Sequence, residues 1–238
     1  MNEFERYWTT SVDQRAIQPR QMVRNRKELR KHLGRLLPKR TDAPVCEIGC
    51  GFGRNVRALL ELGYTNVTGV DISPEQVKMG REVLGLTCLQ VADGLEWLKS
   101  GRSYECILLL DVLEHFDVSG GTALLCAAYQ ALAPGGRLIV RVPNLASPFA
   151  AYYHGDVTHK MGLTKTSIAQ VFRMAGIVED MEVIPTPPVC NCPGNCVRKI
   201  AWHGLINPVL WILTTIIYGR RFAGVHTPNL IGTVVKRR

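Results

Sequence analysis

From Asp42 onward the chain alternates short apolar runs with helix-period patterns, and this alternation narrows its folding options more than any other feature. A strand that returns through a helix to lie parallel beside itself is covered on both faces, so it reads as a continuous apolar run. Residues 44–48 (PVCEI) form the first such run and end in the glycine-rich turn GCGFG. Val56, Leu59 and Leu60 follow at helical spacing, and Gly63 closes that helix. Residues 67–70 form a second strand ending at Asp71, and Ser73-Pro74-Glu75-Gln76 then supplies an N-cap, a first-turn proline and a capping-box glutamine. Further strands are expected at 88–91, 106–110, 137–142, 177–184 and 230–235, with Ala133-Pro134-Gly135-Gly136 as a sharp turn. About 45 residues separate the last two strands, too many for a hairpin loop, so they are an insertion.

The 238 residues suffice for one such domain with decorations: residues 1–41 as an N-terminal helical extension, 42–184 as the core, 185–229 as the insertion, and 230–238 as the last strand and a basic tail. The N-terminus is polar and mixed in charge, unlike a signal peptide, and no apolar run approaches the roughly 18–20 residues of a membrane span. The expectation is an intracellular, cytoplasmic protein. Cys46, Cys88, Cys106 and Cys126 lie in apolar segments. Cys190, Cys192 and Cys196 cluster as C-x-C-x3-C, a poor match to the paired spacing of zinc sites, and are read as a reduced, turn-rich loop with no metal. The formal charge of +9 is concentrated in residues 20–40 and the terminal VKRR. Leu29, Leu33 and Leu36 or Leu37 give that first stretch an apolar helical face, and its basic face either is solvated or meets an anionic partner.

Glu47-Ile48-Gly49-Cys50-Gly51-Phe52-Gly53 sits at a strand–turn–helix junction, where glycines let the backbone approach a ligand closely. A dinucleotide fingerprint would place a small residue where this chain has Arg54 or Val56, so a pyrophosphate site is not indicated. Asp71, about 20 residues on, is placed to grip ribose hydroxyls, with Ile72 beside it. Asp93-Gly94 closes the third strand, where a carboxylate can accept from an adenine amino group. All three points fall at the carboxyl ends of parallel strands, the ligand crevice of such a sheet.

These segments, EIGCGFG, VDIS, VADG, LLLDVLEHF and LAPGGRLIVRVPN, resemble the successive motifs of class I S-adenosylmethionine (SAM)-dependent methyltransferases. The resemblance implies an α/β, Rossmann-like, seven-stranded and mostly parallel sheet of order 3-2-1-4-5-7-6. Helices would cover both faces, and the last strand would be antiparallel. It implies SAM as cofactor, with Glu47, Gly49, Cys50, Gly51 and Gly53 at the methionine end, Asp71 and Ile72 at the ribose, Asp93 and Gly94 at the adenine, and Asp111 bordering the sulfonium. Residues 143–177, with Gly155-Asp156-Val157-Thr158-His159, and the later Thr227-Pro228-Asn229-Leu230-Ile231 resemble a bacterial subgroup associated with surface polysaccharide and glycan assembly. The acceptor implied is a glycan or lipid-linked glycolipid methylated on oxygen. A quinone or natural-product acceptor and a non-catalytic, membrane-recruited SAM-binding protein are the alternatives.

Methyl transfer to oxygen requires a proton acceptor near neutral pH, and histidine suits it. His159, with Asp156 three residues before it to fix its tautomer, is the first candidate base, and His115 in DVLEHF the second. DVLE stands where base N-methylation would call for an N/D-P-P-Y/F motif, so nucleic acid is not the expected partner, and no metal cluster is expected near this strand. Finally, residues 205–218 (LINPVLWILTTIIY) are apolar almost all round, with Trp202, Trp211 and Tyr218 suited to a membrane interface. At about 14 residues this segment reads either as a helix packed on the sheet or on a second copy in a homodimer, or as one lying in an anionic headgroup layer, which would make the protein peripheral on the inner face of the membrane.

Overall fold

The computed structural model describes residues 17–189, 193–219 and 224–237. Its seven strands are β1 (Val45–Ile48), β2 (Val67–Asp71), β3 (Leu89–Val91), β4 (Tyr104–Leu110), β5 (Leu132–Pro143), β6 (Glu182–Pro185) and β7 (Asn229–Val235). They form one sheet of order β3-β2-β1-β4-β5-β7-β6, parallel except that β7 runs antiparallel to both β5 and β6. The strand order and the antiparallel last strand are those the motifs implied.

The helices are α1 (Pro19–Leu33), α2 (Arg54–Glu61), α3 (Pro74–Leu84), α4 (Gly94–Leu98), α5 (Val118–Gln130), α6 (Ala151–His154), α7 (Lys165–Met174), α8 (Pro193–Ala201) and α9 (Asn207–Tyr218). Because side chains alternate across a strand, β4 sends Ile107 and Leu109 to one face of the sheet and Cys106, Leu108 and Leu110 to the other. The first face packs on Leu124, Leu125 and Ala128 of α5 and Ile168 and Phe172 of α7. The second packs on Leu29 and Leu33 of α1, Val56 and Leu59 of α2 and Val77 of α3. Both faces are therefore covered, which is why the central strands carry no polar alternation.

Several boundaries differ from expectation for physical reasons. The basic N-terminal helix stops at Leu33, although Leu36 and Leu37 still bury against the core. Ala133–Gly136 is not a separate turn but an irregular stretch inside β5, where the register jumps from Tyr104 opposite Leu132 to Cys106 opposite Arg137. The strand expected over 177–184 is only Glu182–Pro185. Ser73 caps α3 by accepting from the Gln76 backbone, but the glutamine side chain does not complete a capping box: its Oε1 lies where a side chain on Gly51 would be.

The insertion holds the largest departure. Helix continues unbroken from Gly194 to Tyr218, 25 residues, long and apolar enough to cross a membrane by length and composition, with 6% of its apolar window buried. Proline removes an N–H and clashes with the carbonyl four residues earlier, so Pro208 suggested a helix start. Here a π-helical segment, Trp202–Ile206, directly precedes α9, and its wider turn accommodates the ring within a continuous helix. Ile216 is 75% exposed, and Leu205, Ile212 and Ile217 are also open, so the helix is not packed on the sheet. Cys196, on α8, is disulfide-bonded, which corrects the reduced reading, since spacing does not report redox state. Cys190 and Cys192 lie outside the described residues, as do residues 1–16 of the N-terminal extension.

Candidate active site

The glycine turn leaves β1 at its carboxyl end. Gly49 and Gly51 have φ of 70° and 57°, a region costly for side chains with a Cβ. A Cβ on Gly49 would also collide with Val112 after β4, and one on Gly51 would sit 2.7 Å from Gln76 Oε1. Gly53, φ 83°, turns the chain into α2 against Leu86 and Leu89. Cys50 is buried with its thiol pushed well up by burial, so it packs rather than reacts.

Asp71 braces this turn. Its Oδ2 accepts from Gly51 N at 2.6 Å and its Oδ1 from Ser73 N at 2.8 Å. Burial nonetheless raises its pKa. Ile72 is 39% exposed at the same mouth. Asp93 is the N-cap of α4, with Oδ1 accepting from Glu96 N at 3.0 Å, and a Cβ on Gly94 would meet Ile48. Glu47 is fully buried: Oε1 accepts from Asn55 Nδ2 at 2.7 Å, while Oε2 has no hydrogen-bond partner among the described residues. Burial raises its pKa to about 7, against the lowering pull of Asn55, Arg141 and Arg54.

Across the crevice, Asp111 takes a positive φ of 59° at the end of β4 and is gripped by Arg141 of β5, whose Nε donates to Oδ1 at 2.8 Å and whose Nη2 donates to Oδ2. Burial would raise the Asp111 pKa, but the guanidinium wins and lowers it. The Asp111 side chain remains 40% exposed at the crevice mouth. Arg141 escaped the sequence reading; its signal was a charge inside LIVRV, which in a buried strand needs a partner.

A 3-10 turn, Leu113–His115, follows, and the segment after α6 folds back onto it: Lys160 N and Met161 N donate to the Glu114 carbonyl at 2.7 and 3.0 Å. The structure brings His115 and His159 together, ring centroids 4.8 Å apart, but corrects the expected pairing. Asp156 does not orient His159. It accepts from the Thr158 hydroxyl at 2.7 Å, and that oxygen lies 2.9 Å from His115 Nδ1. With the hydroxyl proton committed to the carboxylate, Nδ1 of His115 must be the donor. His159 Nδ1 instead donates to the Tyr153 carbonyl at 2.7 Å. The reason is local: Thr158 lies between Asp156 and the histidine and intercepts the carboxylate with both its backbone N–H and its hydroxyl. Burial lowers the His115 pKa, and the neighbouring His159 lowers it further.

Glu114 was missed altogether. It is 1% exposed, neither carboxylate oxygen has a hydrogen-bond partner among the described residues, and His159 Nε2 lies 3.9 Å from Oε1. One ligating atom each from Glu114, His115 and His159 falls within 4.8 Å of the others. This corrects the expectation that no metal-capable cluster adjoins β4; only the fold-back of residues 153–161 creates it.

Residues 22–177, about two thirds of the chain, match the family model described as a methyltransferase domain. The chain belongs to this methyltransferase family. Among similar proteins, a demethylmenaquinone methyltransferase of Tropheryma whipplei is 32% identical over 102 residues, 40% of each chain. The chain thus spans about 40% of the length of that curated relative. A SAM-dependent methyltransferase structure from Archaeoglobus fulgidus superposes with a TM-score of 0.62 at 19% identity, covering 89% of this chain and 94% of the other. The Haemonchus contortus phosphoethanolamine N-methyltransferase 2, in complex with phosphomonomethylethanolamine and S-adenosylhomocysteine (SAH), reaches 0.63 at 15% identity, over 100% of this chain and 61% of that one. The family match covers most of α1 as well as β1–β5, and α1 bears on the site: Asn25 donates to Asn55, the residue that holds Glu47.

Proposed function

We propose that this methyltransferase uses SAM to methylate an oxygen of a glycan or glycolipid acceptor at a membrane surface. The residues present fit the cofactor: the unpartnered buried Glu47 oxygen suits its ammonium, and the turn glycines, with no room for a Cβ beside Val112, Gln76 and Leu86, keep the backbone tight at the end of β1. Asp71 and Ile72 take the ribose, Asp93 and Gly94 the adenine, and Asp111 borders the sulfonium. Bound there, SAM supplies an electrophilic methyl group whose carbon–sulfur bond breaks with its electron pair left on sulfur. The acceptor oxygen supplies the lone pair for the new carbon–oxygen bond and loses its proton.

The observation that carries the oxygen acceptor is the histidine pair beside that position. Val112 touches the glycine turn at Gly49, and Asp111 is electrostatically linked to His115 and Glu114. Both Nδ1 atoms are hydrogen-bonded as donors, so each neutral imidazole carries its lone pair on Nε2 and can accept the proton.

The helix Gly194–Tyr218 supports the lipid surface. Its hydroxyls are satisfied internally, Thr214 by the Leu210 carbonyl at 2.8 Å and Thr215 by that of Trp211 at 2.7 Å, as an apolar environment demands. The protein would then be cytoplasmic and peripheral. The test is methyl transfer from labelled SAM into a lipid and polysaccharide extract, run beside quinol acceptors. Label in an alkali-stable methyl ether of a glycan supports the reading; label in quinols alone would replace it, and SAH binding without turnover on any fraction would leave a cofactor-binding scaffold.

A further inference from the structure

We propose that Glu114, His115 and His159 bind a first-row divalent metal ion with open positions toward the acceptor, zinc being the best match to two imidazoles and one carboxylate. Three independent features converge on it. Glu114 is a buried carboxylate whose oxygens have no hydrogen-bond partner among the described residues, and burying such a group is costly unless a cation or proton compensates it. Each histidine has its Nδ1 fixed by an outer partner, Thr158 backed by Asp156 for His115 and the Tyr153 carbonyl for His159. That is the arrangement which orients imidazole ligands and presents Nε2 to an ion. Finally, the 3-10 turn and residues 160–161 are locked together through the Glu114 carbonyl, so the three donors are held by one rigid junction.

The ligating atoms lie within 4.8 Å of one another. Tetrahedral zinc with bonds of about 2.1 Å separates its ligands by about 3.4 Å, so side-chain rotation must close the widest pair by about 1.4 Å. Glu114 forms the buried floor and the His159 side chain, 8% exposed, a second wall, so three protein ligands would leave the ion at least one further coordination position in a largely water-excluded site. Binding itself does not depend on the proposed function. Its catalytic consequence does: the ion would hold the acceptor hydroxyl and acidify it, the proton passing to water, and the histidines would be ligands in place of bases.

The full chain, stripped with a chelator, is dialysed separately against Zn2+ and Mn2+, and bound metal is measured by elemental analysis and calorimetry. One ion per chain is expected. Glu114→Gln and His159→Ala should each weaken it at least about a hundredfold, and Thr158→Val by about 10–100-fold, the scale for an outer-shell partner. SAH binding should persist in all three variants. No bound ion, or an ion held equally well by Glu114→Gln, overturns the site; the second outcome would move the metal elsewhere. If a variant loses SAH binding through misfolding, anomalous diffraction from the zinc-loaded wild type decides, by a peak within bonding distance of all three side chains or none there. Failure of metal binding with methylation intact would return proton removal to the imidazoles, whereas loss of the methyltransferase reading would leave the metal result standing.

Discussion

Replacing Glu47 by glutamine isolates the contribution of one buried charge to both stability and cofactor binding. Glutamine keeps an oxygen for the Asn55 bond at 2.7 Å and removes only the charge. Glu47 has its pKa raised by burial from 4.5 to about 7, with Asn55, Arg141 and Arg54 pulling it down and Asp111 pushing it up. Between those pH values the folded state holds a proton that the unfolded chain has released. Stability therefore falls as pH rises through this window, and the cost levels off above pH 7 at about 3 kcal/mol. Glu47→Gln should match the wild type near pH 4.5 and exceed it by up to about that amount at pH 8, read as denaturation midpoints without ligand. Cofactor affinity should move the opposite way. An α-ammonium stays charged below about pH 7.7, so wild-type affinity for SAM should rise by nearly tenfold per pH unit from 5 to 7 as Glu47 ionises against it. The variant should be weaker at pH 7 and flatter across the window. Other groups titrate there, so the difference between the two profiles is the measured quantity. Parallel profiles from two folded proteins would refute the assignment of Glu47 to the ammonium.

Asp71→Ala should weaken SAH binding about tenfold or more, since it removes charge-assisted bonds worth roughly 1.5–3 kcal/mol and unbraces Gly51; unchanged calorimetric affinity in a folded variant would misplace the pocket. Gly49→Ala should destabilise the chain and abolish SAH binding, with Val112→Ala restoring only part of the stability, because the steric clash is relieved but the roughly 1–2 kcal/mol cost of positive φ remains. The wild type should co-sediment with anionic liposomes, and Trp211→Glu with Ile212→Glu should abolish this while SAH affinity is unchanged, both side chains being about half exposed. Wild-type protein remaining in the supernatant at low salt would end the lipid argument.

The sheet was legible because its information is local. Apolar runs at strand length, glycines at the first turn and an acid at or just past the ends of β2, β3 and β4 are short-range patterns, and parallel connectivity follows from the helices between them. The amphipathic face of α1 was legible for the same reason, Leu29 and Leu33 recurring at helical spacing. What the sequence alone determined is therefore the architecture and the crevice at the carboxyl ends of β1 and β2. Tertiary structure decided the chemistry opposite it. Arg141 meets Asp111 only because β4 and β5 are neighbours in register, 30 residues apart in the chain. Thr158 reaches His115 across 43 residues, and the same fold-back sets His159 beside Glu114. Spacing placed Asp156 with His159, but hydrogen bonds are made by geometry, and Thr158 was nearer. Likewise the length of the apolar helix was hidden by Pro208, because only the three-dimensional path, with its π-helical turn, reveals that the backbone continues through the proline.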